Sequence, residues 1–323
     1  MLAAWFHLLR PWSYAATLVP FLAAAALASG LAADWLRWLG GLAVGLLFQA
    51  TVNLLNTWGD ERSGVDDVPG AIRTTPQVHD GLVSMRAVLV VAVACAALAS
   101  AGGVILCFRV SGGTVRFNVP LFAAGMVGFL GATNYSTGVK FKYRGLGVPL
   151  VSFLMGPLET FAAVALLLQE SAARIVSDVG SFAAFAIWTI PVAALVGVIM
   201  HGNDMRDIPT DRAAGITTLA SRLGPRGALA YYGICHVVPY AVCAALAMLA
   251  VWDGGLRGAS FLIPLLCLPL TARTLRIACR VYRVDPDCPK WRRLERASGG
   301  IHLLFGVLYA ASTFLWLSQG ETR

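Results

Sequence analysis

Residues 182–211 read FAAFAIWTIPVAALVGVIMHGNDMRDIPTD, and they decide the fold. No charged residue occurs from Phe182 to Met200, and at 1.5 Å per residue such a run traverses most of a hydrocarbon layer about 30 Å thick. Directly behind it stand Asn203, Asp204, Arg206, Asp207 and Asp211. A membrane-spanning helix that ends in a cluster of acids is the simplest reading.

Working outward, comparable apolar blocks begin near Tyr14, Leu36, Ala87, Val119, Val148, Ala228, Ala259 and Ile301, which with Phe182 makes nine. They are continuous rather than alternating, so the expected fold is all-α, a nine-helix integral membrane bundle forming one domain over residues 1–323. Composition agrees: of 323 residues 58% are hydrophobic and 13% charged, about half the charge that a water-soluble domain carries. The formal charge of +8 does not form a nucleic-acid stripe, because the basic residues sit between apolar blocks. They read as an orientation signal instead. The N-terminal tail and the stretches 57–86, 136–147, 201–227 and 273–299 hold 19 of the 25 Lys and Arg residues, which predicts a cytoplasmic N-terminus and, with nine spans, an outside C-terminus. The arginines of 273–299 are expected along anionic headgroups. The seven cysteines have no spacing that suits zinc and read as small buried hydrophobes.

Seven of the 17 acids fall in two stretches: NTWGDERSGVDD, with Asp60, Glu61, Asp66 and Asp67, and NDMRDIPTD, with Asp204, Asp207 and Asp211. Charge at the bilayer centre is costly, so both should face a hydrated cavity. Asn56 and Asp60 are four apart, as are Asn203, Asp207 and Asp211, a spacing that stacks them on one helix face. Gly64 suggests an unwound helix end that returns Asp66 to the same centre. Stacked carboxylates repel and call for a cation, and hard oxygen donors suit Mg²⁺, which keeps waters and bridges to phosphates. Arg62, Arg73, Lys140, Lys142, Arg144, Arg206 and Arg212 lie in the same or intervening loops. Cations beside a carboxylate-held Mg²⁺ make a diphosphate site, although each is equally readable as a positive-inside anchor.

Three stretches resemble a known family. LRPWSYAATLVP at Leu9 to Pro20, NTWGDERSGVD at Asn56 to Asp66, and HGNDMRDIPTDRAAGITTLASRLG at His201 to Gly224 are similar to segments of the UbiA superfamily of membrane prenyltransferases, within its MenA-like branch of 1,4-dihydroxy-2-naphthoate prenyltransferases and vertebrate menaquinone-4 synthase relatives. TGVKFKYRGLG at Thr137 to Gly147 is a weaker match, and beyond about residue 240 only the alternation of spans agrees. The resemblance implies a nine-helix bundle with a central cavity. It implies one Mg²⁺ on Asn56, Asp60 and Asp66 and a second on Asn203, Asp207 and Asp211, with Arg73, Lys142 and Arg206 on the diphosphate. The expected catalytic residues are Asp60, Asp66, Asp207 and Asp211. The expected substrate-binding residues are Arg73, Lys140, Lys142, Tyr143, Arg206 and Asp204.

The implied reaction moves an isoprenyl group from a prenyl diphosphate to an aromatic acceptor, as in quinone biosynthesis. Trp58, Tyr135 or Tyr143 would offer an aromatic face to the carbocation. Two departures from the family pattern stand around the acceptor and diphosphate pockets that the resemblance implies: Val148 occupies the place of a family acid, and Ala71 and Ile72 stand before Arg73 where the branch carries an acidic pair. If Val148 marks an altered pocket, the naphthoate should be used poorly; if the departures are neutral, the resemblance implies an ordinary menaquinone-biosynthesis prenyltransferase, the most specific assignment it offers. Glu159, in GPLETF, is an intramembrane acid that either serves an acceptor or is a hydrogen-bonded core group. Two other functions fit the same acids: a terpene cyclase that ionises the diphosphate without an acceptor, and a cation transporter. Against transport stand the missing inverted repeats and the one-sided clustering of the acids.

Overall fold

The structure is a computed structural model that describes residues 1–29, 31–63, 76–111, 113–284 and 291–318. In chain order the elements are α1 (Leu2–Leu9), α2 (Ala15–Leu27), α3 (Trp35–Ser63), α4 (Pro76–His79), α5 (Met85–Cys107), a hairpin β1 (Phe108–Ser111) and β2 (Thr114–Phe117), and α6 (Val119–Thr133). There follow α7 (Gly147–Phe153), α8 (Glu159–Leu167), α9 (Gln169–Ser177), α10 (Val179–Arg206), α11 (Ile208–Ala213), α12 (Leu219–Gly254), α13 (Leu268–Val284) and α14 (Trp291–Ser318).

Seven helical segments among the described residues are long and apolar enough to cross a membrane: Trp35–Arg62, Met85–Cys107, Gly147–Leu167, Val179–Arg206, Leu219–Trp252, Arg257–Val281 and Leu294–Ser318. The expectation of nine is met only in part, because the blocks at Tyr14 and Val119 form helices of 13 and 15 residues. Their ends are fixed locally. Arg10, at φ 49, and the 3-10 turn Pro11–Tyr14 precede α2, whereas Asn118 caps the start of α6 and the chain turns out of it at Asn134. The hairpin was not expected. Its signal is FRVSGGTVRF, alternation around a glycine turn in which Gly113 takes φ 75, and Arg109 pairs across it with Arg116.

The interior is apolar, and so is much of the outside. One core joins α2, α10, α12, the 3-10 segment Gly255–Cys267 and α14 through Val19, Trp188, Leu195, Tyr240, Phe261, Phe305 and Tyr309, with the Tyr309 hydroxyl donating to the Trp188 carbonyl at 2.9 Å. On α5 the outward residues Val90, Val93, Leu98 and Ile105 are exposed, an arrangement that costs free energy in water and none in lipid. The described cysteines are free and mostly buried or half-buried, as small hydrophobes should be.

Candidate active site

At one end of the bundle, α3 finishes in Asn56 and Asp60. Here Gly59 lets the helix press against the chain after α6, since a Cβ at Gly59 would sit 3.1 Å from the Ser136 carbonyl oxygen. Ser136 Oγ donates to Asn56 Oδ1. One turn on, Lys142 Nζ lies 2.6 and 2.9 Å from the two oxygens of Asp60, and the Tyr143 hydroxyl donates to Oδ1 at 2.7 Å. Burial alone would lower the Lys142 ammonium, but the charges of Asp60, Tyr143 and Tyr135 and the Asp60 hydrogen bond hold it above the ordinary lysine value.

The second motif closes the same end. Helix α10 stops at Arg206 and restarts at Ile208, yet the Asp207 and Asp211 amides still donate to the carbonyls of Asn203 and Asp207, at 3.1 and 2.8 Å. The expected uninterrupted helix is therefore a near-continuous one, bent at Asp207. Arg206 grips Asp207 through Nε and Nη2, both at 2.6 Å, and its Nη1 lies 3.6 Å from Glu295. Thr218 Oγ1 donates to Asp211 at 3.2 Å. Burial, and next the charge of Asp207, push the Asp211 carboxyl up to about 7, against the opposing pull of Lys142 and Thr218. Asp204 is buried. The two halves are sewn together where the Thr217 amide donates to the Tyr143 carbonyl at 3.4 Å, beside a bridge between Arg144 and Thr217. Tyr135 feels the charges of both Asp204 and Asp60; burial chiefly, and then Asp204, raises its phenol.

From this end a cavity of about 500 Å³ runs into the bundle, lined by Asn56, Asn203, Tyr135 and Glu295 near the acids and by Gly45, Phe48, Phe129, Leu154 and Glu159 deeper in. Its lining is mostly apolar away from the polar side chains of α3 and Ser13, so water deep in it has few partners. The expected central cavity is present.

Sequence reading placed Asn56, Asp60, Lys142, Tyr143, Asn203, Asp204, Arg206, Asp207 and Asp211 together, and the structure gathers them. Asp66 and Arg73, with Ala71 and Ile72, lie outside the described residues. Lys140 is a different case: exposed, at φ 58, its ammonium sits 5.9 Å over the Tyr143 ring. Trp58 lies under Arg62, 5.0 Å from its guanidinium, and packs with α1 and α5; Tyr135 is the aromatic of the three that lines the cavity. Val148 differs from expectation most. It is 1% exposed, packs toward Gly197 and is not among the cavity-lining residues. His201 Nε2–H donates to the Ala228 carbonyl at 2.9 Å, which gives it a structural place. Glu295 and Ser136 were missed, since nothing in spacing marks them. Gln49 and Asn53 were missed too, though they continue the face of Asn56 at helical spacing; both reach Ser13 Oγ, at 3.3 and 2.9 Å.

The donor set suits a hard cation. It is all oxygen, and Asn203 Oδ1 is buried with no hydrogen-bond partner among the described residues. No group of three or more His, Cys, Asp or Glu side chains stands ready to hold a metal among the described residues; Asp60 and Asp207 are each engaged by a cationic side chain.

The UbiA prenyltransferase family model matches residues 17–299. The chain belongs to that family. UbiA prenyltransferase domain-containing protein 1 of Danio rerio is 30% identical, covering 95% of this chain and 84% of the relative; its Homo sapiens counterpart is 30% identical, covering 95% and 82%. The likeness thus reaches well past residue 240. A UbiA homolog from Archaeoglobus fulgidus, solved bound to GPP and Mg²⁺, has a TM-score of 0.61 at 16% identity and covers 96% of this chain and 99% of its own. A digeranylgeranylglyceryl phosphate synthase structure has a TM-score of 0.55 at 13% identity, with 97% and 98% covered. These two share the fold. This prenyltransferase is accordingly an integral membrane enzyme.

Proposed function

We propose that this prenyltransferase moves an isoprenyl group from a prenyl diphosphate to an aromatic acceptor inside the membrane. The observation that carries the reading is the meeting of two Asn-and-Asp motifs, each with a cation clamped on it, at the mouth of an apolar cavity. Two Mg²⁺ ions are the proposed cofactors, one with Asn56, Asp60 and Asp66 and one with Asn203, Asp207 and Asp211. Bound there, they supply Lewis-acid neutralisation of the leaving diphosphate.

The chain's own residues do the rest. Lys142 and Arg206 stabilise negative charge as the allylic carbon–oxygen bond breaks and its electron pair departs with diphosphate. Tyr135 faces the cavity where positive charge develops on the prenyl carbon. Apolar walls exclude water, so the electron-rich ring carbon of the acceptor, rather than water, takes up the cation; the ring then loses its proton.

The N-terminal tail, the ends of α3 and α10, and the loop 136–147 share one end of the bundle, through Arg10 with Thr57 and Lys142 with Asp60. Arg206 with Glu295 adds the start of α14. This supports the charge-based assignment of that end to the cytoplasm and of the whole chain to one domain. If α2 and α6 also traverse the membrane, the count becomes nine and the C-terminus lies outside. Incubating purified protein with a panel of prenyl diphosphates and aromatic acceptors, read by mass spectrometry, tests the reading: a prenylated ring and inorganic diphosphate are expected together.

A further inference from the structure

Glu159 has no part in the chemistry described above, and its position explains why. It follows a π-turn, Leu154–Leu158, at the start of α8 and lines the cavity. A Cβ on Gly45 would stand 3.1 Å from Glu159 Oε1 and 3.0 Å from Thr17 Cγ2, so carboxyl and threonine flank one bare point of α3. Thr17 is fully buried, and its hydroxyl stands beside the Glu159 carboxyl as its hydrogen-bond donor.

Depth follows from helix geometry. Gly45 precedes Asn56 by eleven residues on the same helix, which is about 16 Å at 1.5 Å per residue. A group so far from the diphosphate end does not reach a ring bonded to the first prenyl carbon, which removes Glu159 as the acceptor's base. It stands beside the prenyl tail instead. The cavity continues past it to Gly41, Leu106 and Leu121; Gln49 and Asn53, which line it nearer the acids, are already hydrogen-bonded to Ser13, so the carboxyl is the charge-bearing interruption part-way along a mostly apolar channel.

We infer that Glu159 is a specificity-determining residue that selects prenyl tails of about three isoprene units, with Thr17 as its neighbour. The inference rests on the prenyl-transfer reading. At ordinary carbon–carbon bond lengths an extended isoprene unit spans about 5 Å, so a farnesyl tail ends at the carboxyl and the fourth unit of a geranylgeranyl tail must lie against it. Hydrocarbon laid over a carboxyl leaves its polar atoms unpaired, and that penalty falls on the longer tail alone.

The test is competition between farnesyl and geranylgeranyl diphosphate at a fixed acceptor, in the full chain and three variants, scored as the geranylgeranyl-to-farnesyl ratio of kcat/KM. Glu159→Leu removes the polar interruption, and the ratio should rise about tenfold. Glu159→Gln keeps polarity and should hold the ratio within about threefold of the parent. Thr17→Val removes the hydroxyl beside the carboxyl without changing size, and the ratio should fall. This third variant keeps the inference testable should Glu159→Leu not fold. An unchanged ratio in Glu159→Leu, or in Thr17→Val, with diphosphate still released, overturns this inference and leaves prenyl transfer standing. Absence of diphosphate release from every donor by the unmodified protein overturns both.

Discussion

The ammonium of Lys142 straddles the carboxylate of Asp60, 2.6 Å from one oxygen and 2.9 Å from the other, and Tyr143 adds a third bond at 2.7 Å. A lysine from the loop after α6 is thus held by an acid at the end of α3, and the pair fixes a positive charge at the mouth of an apolar cavity. Because Asp60 and its neighbours hold the Lys142 pKa up against burial, the ammonium stays charged throughout the working pH range.

Replacing Lys142 by Met should therefore slow diphosphate release by on the order of 10². It also strips the Asp60 carboxylate of its counter-charge, so the melting temperature should fall as well. Lys142→Arg keeps the charge but not the compact geometry, and should recover stability better than rate. Parallel thermal melts and diphosphate assays check this.

Asp60→Asn and Asp207→Asn keep size and remove the charge proposed to hold metal, so each should cost on the order of 10² to 10³ in rate. Asp178 is the control: it caps the far end of α10, accepting from the Ser181 amide at 2.7 Å, and Asp178→Asn keeps that acceptor. Equal losses at Asp178 and Asp207 would attribute the effect to folding.

The carboxyl of Asp211 is pushed up to about 7 by burial and by Asp207. Its folded value exceeds the ordinary aspartate value of 3.8, so the metal-free protein binds a proton that the unfolded chain lacks, and this group's contribution to stability falls as pH rises from about 3.8 to 7. A cation binding there must expel that proton. The Mg²⁺ concentration for half-maximal diphosphate release should then be about tenfold higher at pH 6 than at pH 8 and level off above pH 8. A flat profile would remove Asp211 from the cation site.

Much of this was legible in the chain. The two acid motifs stood out because a low-charge sequence leaves acids nowhere to hide, and Asn203, Asp207 and Asp211 keep their helical spacing even across the bend at Asp207. The short lengths of α2 and α6 were not legible: an apolar run marks what is buried in lipid, while the ends depend on the turn at Arg10 and on the asparagines at 118 and 134. Glu295 was invisible because its partner Arg206 is distant in sequence. The environment of Val148 was not legible either: resemblance sets it near the acceptor and diphosphate pockets, while its side chain packs toward Gly197 and is not among the cavity-lining residues.

That last difference yields its own prediction. At 1% exposure, a carboxyl introduced by Val148→Asp has no cavity to face. The substitution should destabilise the protein by about 3 kcal/mol, read by chemical or thermal denaturation, with no selective gain for the naphthoate over other phenolic acceptors.

The central claim is tested most directly by one assay: purified protein in lipid vesicles, with farnesyl diphosphate, Mg²⁺ and a panel of aromatic acceptors, followed for inorganic diphosphate and for product mass, with and without EDTA. The account predicts equal amounts of diphosphate and prenylated ring, both abolished by EDTA and restored by Mg²⁺. Full turnover in EDTA, or diphosphate accompanied by a cyclic hydrocarbon with no acceptor added, would contradict it.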